Sequence, residues 1–565
     1  MKLSDLILKH ILKNAHDFGG KVNPKAAMGQ IIRENPNFKK DIPALLKEIE
    51  QTAKEVEKLS LTEITSRLQL LAPELLEKKE EKIQGPLKPL PNAEKGKVIL
   101  RIAPSPSGPL HIGHAYGLSL NYEYAKMYQG KLFLRIEDTN PENIYPPAYD
   151  MIEQDARWLT ENHIDQVFIQ SSRLGLYYDH AEKLVQLEKA YLCTCDADQW
   201  REMKNKGVAC PCRTLATKEQ LQRYAHMFTS YAEGEAILRL KTDLQHKNPA
   251  MRDFGIMRIV EHIHPKTNKE QRVWPLMVFA VAIDDHEMGI THVLNGKDHA
   301  DNAIKEQIIM QYLSWQPPIY RHWGRINFEG LELSTSKTRI AIEEGKYKGW
   351  DDIRLPFLPA LRKRGYQPHA FRQFALEVGL SLTDKTVTIE EFWKTINAFN
   401  KDSIDPTANR YFFIENPRQI TIGGAPHRKL QLDLHPNHPE RGQRSFQTKD
   451  SFYISPPDLA ELDEKKIHRL MDCFNFKKAG AKFQYISQPY EEYKNSLLQG
   501  EIIHWLPEKT VPVEVVLTDG SSLQGLGEES LAALHPGDIV QFERRYFVRV
   551  QEVTTQKITV WQLHR

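Results

Sequence analysis

The chain has 565 residues, of which 27% are charged and 41% hydrophobic, and its formal net charge is only +2. Since one hydrophobic core stops growing beyond about 250–300 residues, this length predicts several structural units. The chain has no apolar run of the roughly 18 residues that a membrane span needs, and its first segment, MKLSDLILKHILKN, carries charges throughout. We therefore expect a cytoplasmic protein without a membrane span, in which any surface that binds a polyanion is locally basic.

The first 85 residues have the composition of a small helical domain. Leu, Ile, Lys and Glu recur at helical spacing, and Leu45, Ile49 and Val56 fall on one apolar face. We expect such faces to pack on one another, with docking of a partner protein as the alternative. The Pro-rich residues 86–96 then predict a stiff, extended linker.

From residue 97 the pattern changes to alternating strands and helices. The apolar run KVILRIA is followed by the turn-rich PSPSGPLHIGHA and a helix-period segment, and KLFLRIED then predicts a second strand. A β-α-β unit of this length predicts parallel strands, and ligands bind beyond the carboxyl ends of such strands. Arg101, near the end of the first strand, and Glu137, at the end of the second, are therefore expected at one crevice.

Two histidines stand where the helix after the first strand is predicted to begin. His111 and His114 are three residues apart, so both fall on its first turn. The unpaired N–H groups and the dipole of a helix N-terminus favour phosphate at that place. This turn is therefore a candidate anion site.

Four of the five cysteines form two C-x-C pairs. In a chain without an export signal, paired thiols predict metal ligands before disulfides, and four sulfurs suit a structural, tetrahedral zinc ion. Four separate reduced thiols are the alternative, and Cys473 is expected to fill a core. The predicted zinc ligands are Cys193, Cys195, Cys210 and Cys212.

A second motif, LELSTSKTRI, places Lys337 among hydroxyl side chains. Without an evident helical period, it predicts a mobile loop whose lysine could close onto a phosphate as charge develops there. Taken alone, a solvated lysine loop explains this segment better. Together with the histidine pair, the segment favours a phosphate site.

The remaining chain has two further patterns. Residues 346–380 mix basic side chains with helices, which is typical of a face that binds phosphates without reading sequence. From about residue 406 short alternating strands lie between Gly and Pro turns, which predicts β-barrels. Tyr411, Phe412 and Phe413 could stack on nucleobases, but core filling is the preferred prediction.

HIGH at residues 111–114, followed by LSTSK at residues 333–337, resembles the two signature sequences of class I aminoacyl-tRNA synthetases. RIAPSPSGPLHIGHA, LFLRIEDTNP, VAIDDHEMGITHVLNGKDH and GLELSTSK are similar to the glutamyl/glutaminyl branch, and most similar to archaeal-type glutamyl enzymes. LHPNHPERGQR and GDIVQFERRYFVRV resemble the β-barrel anticodon-binding region shared by archaeal-type glutamyl and by glutaminyl enzymes. The resemblance thus covers nearly the whole chain.

This resemblance implies an α/β fold around a Rossmann-like class I catalytic domain. It further implies the following division: an N-terminal helical domain at 1–85, a linker at 86–96, the catalytic domain at 97–330 with an inserted acceptor-binding subdomain at about 191–270, the LSTSK loop and a stem-contact helical domain at 331–405, and β-barrel anticodon-binding domains at 406–565.

The implied activity is ATP-dependent ligation of L-glutamate to tRNA(Glu) through a glutamyl-adenylate, with Mg²⁺ accompanying ATP as substrate. Archaeal-type relatives also imply tRNA(Gln) as a second acceptor. A glutaminyl enzyme on the same scaffold is one alternative, against which Arg101 indicates a carboxylate substrate. A non-catalytic tRNA-binding paralogue is the other, against which the intact His114 and Lys337 argue.

The family's functional residues can be placed on this sequence one by one. An arginine fork suits the side-chain carboxylate of glutamate, a carboxylate suits its ammonium, and glycines leave room for a nucleotide. The implied catalytic residues are His111, His114 and Lys337; the glutamate contacts are Arg101, Ser105, Glu137, Tyr116, Arg173 and Asn295; and the ATP contacts are Pro104, Gly108, His111, Gly113, His114, Ser336 and Lys337.

Two positions depart from the family pattern. Asn295 stands where the family has an arginine that helps to hold the amino acid, and Met277 stands where many relatives have a tyrosine. Asparagine carries no charge. Either Lys297 or Arg173 replaces the missing cation, or glutamate binding is weakened.

Overall fold

The computed structural model describes residues 3–17, 20–34, 42–72, 75, 87–267 and 271–565. The chain divides into two compact units, Met1–Gly85 and Pro86–Arg565. Pro86, at the start of the predicted linker, lies outside the described residues, as do residues 268–270 at the end of the predicted insertion. Over the described ranges, no helix is long and apolar enough to cross a membrane.

The described part of the first unit contains four helices. Their apolar faces pack into one core that contains Leu45, Ile49 and Val56, as the sequence predicts. Ser60 and Glu63 form a capping box that fixes the start of the fourth helix. The helices are α1 (Leu3–Asp17), α2 (Pro24–Glu34), α3 (Ile42–Val56) and α4 (Leu61–Leu71).

The second unit begins with a parallel sheet of three strands in the order β1-β2-β3. Successive residues in the middle of β1 and along most of β2 are buried, so both faces of these strands are covered. The elements are β1 (Ile99–Ile102), α5 (Ile112–Tyr128), β2 (Lys131–Ile136), α6 (Ala148–Leu159), β3 (Gln166–Ile169) and α7 (Leu174–Gln186). The predicted β-α-β unit is confirmed by the parallel register of β1 and β2.

An inserted subdomain follows, built on a four-stranded antiparallel sheet in the order β4-β5-β6-β7. Its core is joined to that of the helices on either side of it. Its elements are β4 (Ala190–Cys193), α8 (Ala197–Lys206), α9 (Thr217–Met227), β5 (Ile237–Leu240), β6 (Gly255–Ile259) and β7 (Val273–Pro275).

The chain then returns to the parallel sheet. The next elements are α10 (Met277–Glu287), β8 (His292–Gly296), α11 (Ala300–Tyr312) and β9 (Ile319–Trp323), with β8 and β9 parallel. The N–H of Thr291 donates to the carbonyl of Ile99 at 3.1 Å, and the N–H of Ile99 donates to Thr291 Oγ1 at 2.9 Å. These bonds hold β8 beside β1.

A helical region connects this sheet with the C-terminal part. It contains β10 (Ile326–Glu329), α12 (Thr335–Glu343), α13 (Leu358–Arg364), α14 (Pro368–Val378), β11 (Lys385–Thr388) and α15 (Ile389–Ile404). α14 packs on α5 and α15, and β10 pairs with β11 in parallel. The helix that bears the two histidines is therefore covered by this region.

Residues 410–562 form two β-rich layers with separate cores. One sheet has the order β12-β24-β25-β26-β22-β23-β13 and the other β17-β14-β20-β19-β18-β21. The strands and short helices are β12 (Arg410–Tyr411), β13 (Phe413–Glu415), β14 (Arg418–Gly423), β15 (Arg428–Asp433), β16 (Gln443–Thr448), β17 (Ser451–Ile454), α16 (Pro456–Glu461), β18 (Ile467–Leu470), β19 (Asn475–Ala479), β20 (Lys482–Ser487), α17 (Tyr490–Lys494), β21 (Gln499–Ile503), β22 (Thr510–Val516), β23 (Ser522–Glu528), β24 (Ile539–Phe542), β25 (Tyr546–Val553) and β26 (Ile558–Gln562).

The aromatic triplet at residues 411–413 links these two cores. β12 and β13 are the outer strands of the seven-stranded sheet and are separated only by Phe412, so the two edges of this sheet come together as in a barrel. Tyr411 and Phe413 point into the core of that sheet, whereas Phe412 points into the other core. This alternation has the period of an extended chain, and it confirms that the triplet fills cores.

Candidate active site

A cavity of about 360 Å³ opens at the carboxyl ends of β1 and β2. Parallel strands bring these ends to one edge, which is why Arg101 of β1 and Glu137, the residue after β2, face the same space. Among the residues singled out in the sequence, its lining contains Arg101, Pro104, Ser105, Gly113, His114, Glu137, Met277 and Asn295. Val281, His299, Glu306 and Trp323 are further lining residues that the sequence did not suggest.

The two histidines are held by the first turn of α5. His111 is the N-cap residue, and its Nδ1 accepts the N–H of Gly113 at 3.1 Å. His114 Nδ1 accepts the N–H of His111 at 3.3 Å, and the two rings stack with centroids 3.8 Å apart. Since a backbone N–H only donates, each neutral ring carries its proton on Nε2. Both side chains therefore offer an Nε2–H donor beside a helix N-terminus.

Both imidazoles are neutral at physiological pH. Burial lowers the pKa of His114 to about 4. Burial, and then the neighbouring His114, hold the pKa of His111 well below its ordinary value. The site therefore binds anions through N–H dipoles and not through imidazolium charge.

Arg101 is 6% exposed and belongs to a buried network of charges. Its Nε and Nη2 donate to the two carboxylate oxygens of Asp285 at 3.1 and 3.0 Å. Arg135 Nη1 donates to the same carboxylate at 2.6 Å, and its Nε and Nη2 donate to Glu137 Oε1 at 3.3 and 3.2 Å. One edge of the Arg101 guanidinium is thus occupied by Asp285, and the Nη1 end remains for a ligand.

Asp284 binds the neighbouring arginine in the same network. It accepts from Arg173 Nε at 2.8 Å, from the Tyr177 hydroxyl at 2.7 Å and from Gln170 Nε2 at 2.9 Å. Although Arg173 is a predicted glutamate contact, it does not line the cavity and its Nε is bound to Asp284.

The two aspartates are functional candidates that the sequence analysis missed. Asp284 and Asp285 are fully buried in α10, a helix that is otherwise apolar on this side. For Asp285, burial raises the pKa, but Arg101 and Arg135 lower it by more, so the carboxyl stays ionised. The signal was two adjacent acids in the apolar run MVFAVAIDDHE, because buried carboxylates need cationic partners.

Two further carboxyl groups face the cavity itself. The pKa of Glu137 is raised because burial outweighs the attraction of Arg135 and Arg101. Burial, and then the neighbouring Asp285, raise the pKa of Glu306 to about 7. At neutral pH Glu306 is therefore poised between its acid and its carboxylate.

Neither proposed substitute for an arginine at position 295 reaches the cavity. Lys297 does not line it, and its Nζ pairs with Asp384 Oδ2 at 2.6 Å. Asn295 is a lining residue, and its Oδ1 is 2.6 Å from His322 Nδ1. Arg101 is thus the only arginine or lysine in the described lining of the cavity.

Lys337 lies on a helix, so the predicted loop is wrong at this point. The Ser334 Oγ accepts the N–H of Lys337 at 3.4 Å and caps α12, which begins at Thr335. Serine is a favoured N-cap residue, and this role outweighed the hydroxyl-rich composition on which the loop prediction depended. The Lys337 Nζ pairs with Glu332 Oε1 at 2.5 Å, and 70% of the lysine side chain is exposed.

The beginning of α12 packs directly on the histidine motif. A Cβ atom at Gly108 would lie 2.3 Å from Thr335 Cγ2 and 3.1 Å from Trp350. A Cβ at Gly113 would lie 3.0 Å from the His111 ring. The space at Gly108 is therefore taken by protein side chains, which corrects the expectation that it is open for a nucleotide, whereas Gly113 still lines the cavity.

Three more predicted site residues lie outside the cavity lining, in addition to Gly108, Arg173 and Lys337. The Tyr116 hydroxyl donates to the carbonyl of Gly379 at 2.8 Å, and its ring contacts Trp323 edge to face. His111 stands behind His114 in the ring stack, and Ser336 is exposed on α12. The structure therefore brings together the residues near β1, β2 and α5, while Lys337 and Ser336 stand apart from them.

The four cysteines of the C-x-C pairs converge in the inserted subdomain. Their Sγ atoms all lie within 4.8 Å of one another, with Cys193 3.9 Å from Cys210 and Cys195 3.7 Å from Cys212. Four sulfurs at the usual bond length of about 2.3 Å from zinc would be about 3.8 Å apart. The cluster can therefore hold a zinc ion. Cys473 is buried in the core of the six-stranded sheet, as predicted.

Comparison with known protein families covers almost all of the second unit. The family "tRNA synthetases class I (E and Q), catalytic domain" matches residues 97–406. Two anticodon-binding domain families of the same synthetases match residues 408–491 and 502–551.

Several glutamate-tRNA ligases of archaea match this chain along its whole length. The chain is 43% identical to a glutamate-tRNA ligase of Pyrococcus abyssi and 41% identical to one of Methanothermobacter marburgensis, in each case over 100% of both chains. A solved glutamate tRNA ligase of Elizabethkingia meningosepticum aligns with a TM-score of 0.41 at 20% identity, over 55% of this chain and 70% of that chain.

Proposed function

This chain belongs to the class I tRNA synthetases for glutamate and glutamine, and we propose that its cavity at the ends of β1 and β2 is where glutamate meets ATP. The chain is a glutamate-tRNA ligase, since relatives of that name match it from end to end. Its substrates are ATP with Mg²⁺, L-glutamate and tRNA. One observation carries the placement of the site: a cation, an acid and an imidazole N–H donor line one cavity beside a helix N-terminus.

The amino acid has two carboxylates and one ammonium, which suit the polar groups of the cavity. Arg101 would bind the side-chain carboxylate through its Nη1 end, because Asp285 already holds Nε and Nη2. Glu137 would accept from the ammonium, and Ser105 lies at the same rim. Arg135 and Asp285 are positioning residues, since they hold Arg101 and Glu137 without lining the cavity.

The phosphates of ATP would lie at the N-terminus of α5. In the first step the α-carboxylate of glutamate attacks the α-phosphorus of ATP, a C–O–P bond forms, and pyrophosphate leaves with the electrons of the broken P–O bond. The Nε2–H groups of His111 and His114 would donate to phosphate oxygens, which needs no proton transfer from the protein. Pro104, Gly108 and Gly113 shape the adjoining turn.

Lys337, with the neighbouring Ser336, would neutralise the departing pyrophosphate. In this structure its ammonium is paired with Glu332, so the lysine must exchange a carboxylate for a phosphate. Exposed ion pairs of this kind contribute only about 0–1 kcal/mol to stability, so this exchange costs little free energy. In the second step a ribose hydroxyl of the terminal tRNA adenosine attacks the activated carbonyl carbon and forms an ester bond. The C–O bond to the phosphate breaks, and AMP leaves with its electrons while a phosphate oxygen takes the hydroxyl proton.

Charging assays with labelled amino acids test this function. The enzyme should attach glutamate, and not glutamine, to tRNA(Glu). Attachment of glutamate to tRNA(Gln) is also expected, since the resemblance to archaeal-type enzymes supports a second acceptor. A chain that attaches glutamate to neither tRNA would contradict the proposal. A chain that attaches only glutamine would support the glutaminyl alternative.

The predicted domains divide the contacts with tRNA among them. We place acceptor-end binding in the subdomain at about 191–270, stem contacts at 331–405 and anticodon binding at 406–565. The matching anticodon-binding families support the last assignment. The helical domain at 1–85 would bind a partner protein through the exposed side chains of Ile42, Leu61 and Leu70. The ligase would act in the cytoplasm.

Zinc would be structural here. Cys193, Cys195, Cys210 and Cys212 supply four thiolates, a closed set with no position for substrate. When bound, the ion would join the strand β4 to the turn before α9. Metal analysis of the purified protein should give a zinc-to-protein ratio near one, and a Cys195→Ser, Cys212→Ser variant should give a ratio near zero.

A further inference from the structure

A buried carboxyl group on α11 faces the cavity. Glu306 of α11 is 4% exposed, lines the cavity, and its Oε2 makes no hydrogen bond within the described part of the chain. The hydroxyl of Tyr320, on β9, is also buried and is the hydrogen-bonding neighbour of Glu306. One hydroxyl can satisfy only one oxygen of a carboxyl group, so the other oxygen of Glu306 is left for a ligand in the cavity.

Several charged or titratable groups surround Glu306 on the elements that face it. Asp285 opposes its ionisation, as does Glu137, whereas Arg101 and Tyr320 favour it. These groups, with the two lining histidines, are Arg101 on β1, Glu137 after β2, Asp285 on α10, Tyr320 on β9, His114 on α5 and His299 before α11.

The charges of the substrate decide which form of Glu306 can function. Arg101 is a lining cation already paired with Asp285, and Glu137 is needed for the substrate ammonium. An ionised Glu306 would place a second lining carboxylate against a substrate that brings two carboxylates of its own. The protonated acid instead donates an O–H, and such bonds to a carboxylate are short and strong.

We propose that Glu306 is a specificity-determining residue that binds the side-chain carboxylate of glutamate as a protonated acid, with Arg101 completing the carboxylate site. This inference rests on the proposed function of the cavity. Burial raises the pKa of Glu306 to about 7, so a substrate carboxylate bound beside it selects the protonated acid at neutral pH. The ionised form of Glu306 would accept from the amide of glutamine and so would weaken the preference for glutamate.

Charging kinetics over pH 6 to 8.5 test this role. In the wild-type enzyme the KM for glutamate should rise about tenfold for each pH unit above about 7, while the KM for ATP stays constant. Glu306→Gln, which is neutral at every pH and keeps a donor, should remove this rise and should stay within a few-fold of the wild-type KM at pH 6. It should also narrow the ratio of kcat/KM between glutamate and glutamine.

A control on the same helix separates this role from a structural one. Asp301→Asn makes the same chemical change on exposed α11 surface, and it should keep the full pH dependence of the KM for glutamate. A Glu306→Gln enzyme that retains the wild-type pH slope would overturn the proposal. So would a wild-type enzyme whose KM for glutamate does not change with pH.

Calorimetry on the wild-type protein gives a second test that needs no variant. Binding of L-glutamate at pH 8, measured in two buffers of different ionisation enthalpy, should take up close to one proton per site. Binding without proton uptake would overturn the role of Glu306 alone. A protein that charges no tRNA with glutamate would instead contradict the proposed function.

Discussion

At the scale of single residues, the backbone sets the chemistry of the two histidines. Each Nδ1 is occupied by an N–H of the first turn of α5, so each ring can present only its Nε2–H to a phosphate. A helix N-cap and a phosphate donor are thereby combined in one side chain. This explains why both histidines lie at the first turn, where the sequence offered no apolar reason for them.

His114→Asn separates these two roles. Asparagine keeps an acceptor near the Nδ1 position but loses the Nε2–H, so we expect kcat to fall about 10²–10³-fold, the usual loss for one such donor. The free energy of unfolding should change by less than about 1 kcal/mol. Single-turnover charging and urea denaturation measure the two quantities. His114→Gln, which places its amide near Nε2, is the matched control and should retain more activity; equal activity of the Asn variant and wild type would contradict the role.

The lowered pKa of His114 also predicts how stability depends on pH. With a folded pKa of about 4 against an unfolded value near 6.5, the unfolded chain binds more protons between these two values. Stability is therefore fully present above about pH 6.5 and is lost as pH falls toward 4, by up to about 3 kcal/mol for this group. Urea denaturation at pH 7 and pH 5 should show the loss, and His114→Asn should reduce it.

At the scale of elements, the contact between Gly108 and α12 places Lys337. Gly108→Ala would force Thr335 and the start of α12 away from the histidine turn, because the new Cβ would lie 2.3 Å from Thr335 Cγ2. We expect a destabilisation of about 1–3 kcal/mol and a fall in kcat larger than the change in the KM for glutamate. Adding Thr335→Ser, which removes Cγ2, should restore most of the lost stability and most of the lost kcat. A double variant that is no better than Gly108→Ala in these two quantities would argue against this contact.

Features of the fold that depend on local sequence patterns could be predicted. The parallel strands, the helix after the first strand, the cysteine cluster and the C-terminal β-domains follow from local patterns, and the structure contains them. The positions of Arg101 and Glu137 at one cavity follow from strand direction alone. Each of these features depends on residues close in the chain or on a simple rule of topology.

Other features depend on contacts between distant segments and could not be predicted. The pairing of Arg101 with Asp285 joins residues 184 positions apart. Glu306 gave no local signal, since a single acid on a helix normally points to solvent. The start of α12 differs for another reason: the hydroxyl-rich sequence predicts a phosphate loop at Ser334, whereas this serine caps a helix.

At the scale of the whole molecule, the C-terminal β-domain is continuous with the core beneath the active site. Leu563 is fully buried in the same core as residues of α5, and Arg364 donates to its carbonyl at 2.8 Å. Arg549 of β25 donates to the carbonyls of Arg362 and Lys363, both at 3.0 Å. Phe357, which precedes α13, forms an isolated antiparallel β-bridge with His111. Described contacts therefore run from the β-domain to the histidine turn.

This continuity predicts that the second unit unfolds in one cooperative step. Leu563→Ala should lower the free energy of unfolding by about 2–5 kcal/mol, because it removes a leucine from a full core. On heating, this variant should lose its activity and its β-structure at the same temperature, in a single transition. Leu497→Ala, at a fully exposed leucine, is the control and should change stability by less than about 0.5 kcal/mol. Two separate transitions in Leu563→Ala would contradict the shared core.

The most direct test of the central claim is a crystal structure with a non-hydrolysable glutamyl-adenylate analogue. We predict that the analogue occupies the cavity at the ends of β1 and β2, with its side-chain carboxylate in hydrogen-bond contact with Arg101 and Glu306. Its phosphate-like group should accept from the Nε2–H of His114, with its ammonium on Glu137. An analogue bound outside this cavity, or one whose side-chain carboxylate contacts neither Arg101 nor Glu306, would contradict the account.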